Sequence, residues 1–117
     1  MNIESFRAYC LLKKGVTEEF PFGVNTLVFK VMGKMFTLTD VESFDGINLK
    51  VDPETGAELR DRYPSVQTAY HMNKKHWITV KMEGFVSDKL VRHWIDNSYD
   101  LVVSGLTKSQ KLTLETL

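Results

Sequence analysis

One cysteine and three prolines among 117 residues rule out a disulfide framework and a proline-rich scaffold. A lone thiol cannot form an internal disulfide and suits a reducing compartment, so a cytoplasmic location is expected. No apolar run approaches the roughly 20 residues needed to cross a bilayer. The N-terminus, Met1-Asn2-Ile3-Glu4-Ser5, lacks the basic segment and apolar block of a signal peptide, so no membrane partner is expected. Excess charge of either sign is missing too: 15 basic and 15 acidic residues leave a formal net charge of zero. That balance argues against strong non-specific nucleic-acid binding, which needs many phosphate neutralisations. There is no GxSxG elbow, no glycine-rich phosphate loop, no HExxH helix and no pair of carboxylates beside an evident cleft. The chain is expected not to be an enzyme and to use neither a cofactor nor a metal. Repeats, low-complexity tracts and linkers are also absent. Residues 1–117 therefore read as a single domain, with a monomer as the expected state.

What is present alternates between helical and strand periods. Asn2 is placed to cap a first helix on which Ile3, Phe6 and Cys10 recur at helical spacing. Lys13 and Lys14 suit its C-terminal dipole, and Gly15 suits the position just past its end. Residues 16–23 predict no regular element: Pro21 blocks a helix, and Phe20 and Phe22 read as loop anchors. From Leu27 the period is two, with Leu27, Phe29 and Val31 on one face and Val28, Lys30 and Met32 on the other. Gly33-Lys34 predicts a type II′ turn, and the return strand sets Phe36 and Leu38 against Met35, Thr37 and Thr39. Ile47, Leu49 and Val51 supply a third strand. Asp52-Pro53-Glu54 combines an N-cap, a proline at the first helical position and an acid in the first turn of a helix reaching about Arg62. Residues 64–75 read as a connection or a short strand, and residues 76–82 as a fourth main strand. Ser87 caps a long helix striped by Leu90, Val91, Trp94, Ile95, Leu101 and Val102, and Thr107 is placed to cap a short turn. The order α-β-β-β-α-β-α predicts a two-layer α+β fold, an antiparallel sheet with helices on one face. The other face would show Lys30, Thr37, Asn48 and Lys50 beside Val28, Met32 and Met35.

Charge is uneven along this chain. Between Asp40 and Asp61 seven acids face only Lys50 and Arg60, whereas no acid at all lies between Asp61 and Glu83. The second interval holds Arg62, Lys74, Lys75, Lys81, His71 and His76. Asn73, Lys74, Lys75, His76 and Trp77 form a basic corner flanked by an aromatic, the first place to look for an anionic partner. Lys74 and Lys75 suit phosphates, Asn73 a base or phosphate, and Trp77 or His76 stacking. The plainer reading is a solvated turn feeding a strand, with Trp77 in the core. Arg60, Arg62 and His71 would extend the patch. Cys10 lies on an apolar stripe towards a helix C-terminus, which disfavours a thiolate, so it reads as a packed thiol. His71 and His76 have no further ligand at metal-site spacing.

Several stretches resemble a known family: Phe20-Pro21-Phe22-Gly23, the run from Phe29 to Phe36, Leu49-Lys50-Val51-Asp52-Pro53, the block from Tyr70 to Trp77, and Ile95 to Val103 followed by Gly105-Leu106. In order and spacing they resemble the MmcQ/YjbR family of small bacterial proteins, over residues 3–112. The resemblance implies a CyaY-like or secretion-chaperone-like fold and the family's DNA-binding, double-wing label. Frataxin-type proteins share a similar fold and hold iron through an acidic helix and strand. The first helix here offers only Glu4, so that activity is not carried over. The resulting expectation is weak DNA binding through Asn73, Lys74, Lys75, His76 and Trp77, with Lys30 and Lys50 from the open sheet face. The competing expectation is a protein-interaction adaptor using Val28, Met32 and Met35.

Overall fold

Asn2 opens the fold in the computed structural model, which describes all 117 residues. Its side chain accepts from the Ser5 amide while the Ser5 hydroxyl receives the Asn2 amide, closing a capping box on α1 (Ile3–Leu11). The helix ends at Leu12, so Gly15 is not its terminator. Gly15 instead takes φ +72° in the turn that follows. That turn leads into β1 (Val16–Glu19), a strand where no regular element was expected. Pro21 lies just beyond it, and β1 needs a partner on one side only, which β2 (Thr26–Val31) supplies.

Next comes a hairpin to β3 (Lys34–Asp40), with Val31 paired to Lys34. Its two turn residues are therefore Met32 and Gly33, at φ +50° and +78°, one position earlier than the expected Gly33-Lys34. Positive φ at both positions is the requirement of a type I′ turn, which matches strand twist. Phe29 faces Thr37 but Lys30 faces Met35, so Phe36 is the extra residue of a β-bulge. The bulge inverts the expected alternation. Phe36 stays on the helix side, its ring 5.4 Å from Tyr99, and Thr37 and Thr39 join it there while Leu38 turns to the opposite face. Both threonines are buried without penalty, because their hydroxyls donate to the carbonyls of Asn48 and Gly46 at 2.8 Å.

The chain continues through β4 (Gly46–Lys50), α2 (Pro53–Arg62, capped by Asp52), β5 (Val66–Thr68) and β6 (Trp77–Lys81). It ends with α3 (Asp88–Ser104, capped by Ser87) and α4 (Lys108–Glu115, capped by Thr107), a full helix where a short turn was expected. The six strands are all antiparallel, in the order β1-β2-β3-β4-β6-β5. The α+β class and the two-layer arrangement are as expected, with β1 and β5 added at the sheet edges.

The core lies between the sheet and the helices. Leu27, Phe29, Val31, Ile47, Leu49, Ile78 and Val80 meet Phe6 and Cys10 of α1 and Val91, Trp94, Ile95 and Val102 of α3. Ser98 of α3, fully buried, ties the layers: its hydroxyl donates to the Phe36 carbonyl and accepts the Lys50 amide at 2.8 Å. No helix is long and apolar enough to cross a membrane.

Candidate functional site

On the face turned away from the helices, the ladder register aligns one residue from each strand. Glu19, Val28, Leu38, Asn48, Thr79 and Gln67 run in a row across the sheet. Two loops, residues 20–25 and 69–76, wall this row. Between them lies a groove of about 470 Å³, lined by Phe22 from the first loop, by Tyr70, His71, Met72 and Asn73 from the second, and by Thr26, Met35, Leu38 and Asn48 from the strands. A second basin of about 280 Å³ shares Thr26, Leu38, Asn48 and Tyr70 and continues to Asp40, Asp45 and Lys81. The groove is thus apolar at one end and charged at the other.

Asn48 is the polar centre of the floor. Its Oδ1 accepts the Thr79 hydroxyl at 2.6 Å, and its Nδ2 donates to the Met72 thioether at 3.3 Å, a poor acceptor. Tyr70 on the rim is 79% exposed and meets the His71 ring edge-on, 4.7 Å between centroids. His71 sits at φ +60°, a left-handed conformation that is uncommon outside glycine and recurs at functional loops.

The expected site residues separate into groups. Lys74, Lys75 and His76 are exposed on the second loop. Asn73 shapes that loop: its Oδ1 accepts the Lys75 amide at 2.9 Å and its carbonyl the His76 amide at 3.2 Å. Trp77 is only 9% exposed, so it offers no stacking platform. Nor is it part of the main core, because its register partner is Lys50, on the face away from the helices. Lys30 is held by Glu19, Nζ to Oε1 3.2 Å, which keeps the Glu19 carboxyl below its usual range. Lys50 lines a small crevice with Asp52, Thr55 and Asn97. Neither of these lysines lines the groove. Arg60 and Arg62 lie on α2, the latter over the Tyr63 ring. Among the proposed adaptor residues, Val28 is fully buried and Met32 packs against the core from its turn; Met35 alone reaches the groove. Sequence reasoning gave no binding role to Phe22 or Tyr70, whose only signal is an aromatic beside a proline turn and one at the start of the basic run.

Outside the groove the titratable groups are structural. Burial pushes the Cys10 thiol up to about 12, which leaves it protonated and unreactive. Asp96 of α3 accepts the Tyr9 hydroxyl at 2.6 Å and pairs with Lys13, joining α1 to α3. The carboxylate lifts the Tyr9 phenol to about 12. Partial burial pushes Asp96 up, but the bonds from Lys13 and Tyr9 outweigh it and leave its carboxyl below the usual range. No three His, Cys, Asp or Glu side chains converge as metal ligands would.

The chain as a whole is similar to known proteins. The family model described as YjbR matches residues 11–101. The Escherichia coli O157:H7 protein YbdF is 44% identical over 76% of this chain and 74% of its own length. The protein YjbR of Escherichia coli K12 is 29% identical over the full length of both chains. The crystal structure of the Deinococcus radiodurans protein DR2400 superposes with a TM-score of 0.90 at 40% identity, covering 97% of this chain and 88% of that one.

Proposed function

The chain belongs to the YjbR family, and from the geometry of its site we propose that it is a non-enzymatic, cytoplasmic domain that binds DNA weakly through the loop at the rim of the sheet groove. The observation that carries this reading is the loop itself. Lys74, Lys75 and His76 stand consecutively exposed on a turn shaped by Asn73, beside the exposed ring of Tyr70. Cations supply the phosphate contacts and the aromatic a stacking surface, the combination that nucleic-acid sites use. Affinity is low because only two lysines are free on this loop and the protein as a whole is neutral. In the second basin the acids serve their own loop. Asp40 accepts the amides of Glu42 and Ser43, and Asp45 accepts the Ser43 hydroxyl, so both carboxylates are engaged in shaping their loop.

A second reading, a protein-interaction adaptor, draws support from Phe22 and Val24, which are 66% and 83% exposed on the opposite loop. Salt separates the two, since phosphate contacts weaken steeply as it rises while an apolar contact does not. The test is an NMR shift titration with a short mixed-sequence DNA at low and moderate salt. Shifts centred on Lys74–His76 that fade with salt are expected. An unchanged spectrum at low salt would overturn the DNA reading.

A further inference from the structure

Resting on that reading, we propose that the groove beside the loop is a base pocket. It receives one unstacked nucleobase bearing an exocyclic carbonyl, stacked against Tyr70 and read by the Asn48 side-chain amide. The first support is size and lining. A groove of about 470 Å³ walled by Phe22, Tyr70, Met35 and Met72 suits a flat, polarisable ring, because thioethers and aromatic faces both pack favourably on π-systems.

The second support is the hydrogen-bonding state of Asn48. Thr79 occupies its Oδ1 at 2.6 Å, which leaves Nδ2 as the group presented to the groove. One amide hydrogen meets only the Met72 sulfur at 3.3 Å, and the other has no acceptor in the protein. A half-buried donor so weakly satisfied gains most from a carbonyl oxygen. The same geometry discriminates between bases. Adenine is best read by an amide offering donor and acceptor together, and Thr79 already takes one of the two lone pairs of Oδ1, which weakens that reading. Thymine can place O4 or O2 on the Nδ2 donor and leave its N3–H to water at the open rim.

The third support is position. Asn73 lines the groove and is followed directly by Lys74 and Lys75, so a base in the groove has its phosphate next to cations. Stacking within a duplex covers both faces of a base, so the occupant is a base of a single strand or a free nucleoside.

The experiment titrates the full chain with thymidine, adenosine, a short oligothymidylate and an abasic strand of the same length, following the Asn48 side-chain amide and the Met35 and Met72 methyls by NMR. Thymidine and the oligothymidylate are expected to shift all three, with adenosine and the abasic strand much weaker. Tyr70→Ala, a change at an exposed rim position, should weaken oligothymidylate binding roughly tenfold. Asn48→Asp, which replaces the donor with an acceptor, should erase the preference for thymidine. If the oligonucleotide shifts Lys74–His76 while the groove signals stay still, the pocket is refuted and the loop reading stands. If thymidine shifts the groove but no strand moves the loop, the pocket binds free nucleosides and the DNA reading fails. Silence at both places refutes both.

Discussion

Lys30 and Glu19 stand on neighbouring strands with Nζ 3.2 Å from Oε1, so a cation on the sheet face away from the helices is neutralised by its own protein. Glu19→Gln releases that cation. DNA binding at low salt should strengthen, and the slope of log affinity against log salt should steepen by about 0.7–0.9, the share of one phosphate contact. A salt titration of the variant against the parent checks this; an unchanged slope would show that Lys30 stays clear of the strand.

Lys74→Ala combined with Lys75→Ala removes the two free lysines of the loop. The salt slope should flatten by about 1.4–1.8, the share of two phosphate contacts, with the circular dichroism spectrum unchanged. The measurement is fluorescence anisotropy of labelled DNA across salt concentrations.

Ser98→Ala tests what holds the bulge against α3. The fully buried hydroxyl serves both the Phe36 carbonyl and the Lys50 amide. Its loss takes the side-chain partner from one buried and one part-buried backbone group, and urea unfolding should show a loss of about 2–4 kcal/mol with an unchanged m-value.

Gly15→Ala strikes the turn between α1 and β1. The backbone there is at φ +72°, and an added Cβ would stand 2.5 Å from Leu114 Cδ1 and 3.1 Å from Leu117 Cδ1. Strain and displacement of α4 should together cost about 1–3 kcal/mol, read from the urea midpoint.

Two pH limits meet at the joint between α1 and α3. Asp96 has a folded pKa below its unfolded value, so its contribution is present above the unfolded value and is lost as pH falls through the folded one. Tyr9 is raised to about 12, so its contribution is complete below its ordinary value of about 10 and is lost as pH climbs towards 12. Asp96→Asn should flatten the acid limb of the stability profile and let the Tyr9 phenol ionise at lower pH, visible as phenolate absorbance.

The layered architecture was legible wherever local chemistry decides it. Asn2, Asp52 and Ser87 announce helix starts, and the alternation from Leu27 to Val31 announces a core strand. β1 was hidden because an edge strand carrying Glu18 and Glu19 has no apolar run to betray it. The bulge at Phe36 leaves no mark in the residues, yet it exchanges the faces of Leu38 and the two threonines. In the site, the cations were legible as charge. Which of them border the groove is a tertiary matter: Glu19 claims Lys30, and Lys50 lines a separate crevice with Asp52. The groove depends on two loops far apart in the chain meeting over the same strands, which no local pattern encodes.

The sheet also ends abruptly at both margins. An unprotected margin is a template on which another chain can continue the ladder, the first step towards fibres. Here β5 is only three residues long, and β1 carries Glu18 and Glu19, whose side chains are bonded to Arg7 and Lys30. Docking a second copy along β1 would force like charges together and disturb both ion pairs. Glu19, which neutralises Lys30, thereby also resists polymerisation together with Glu18, and exchanging it for glutamine risks a protein that clumps when concentrated.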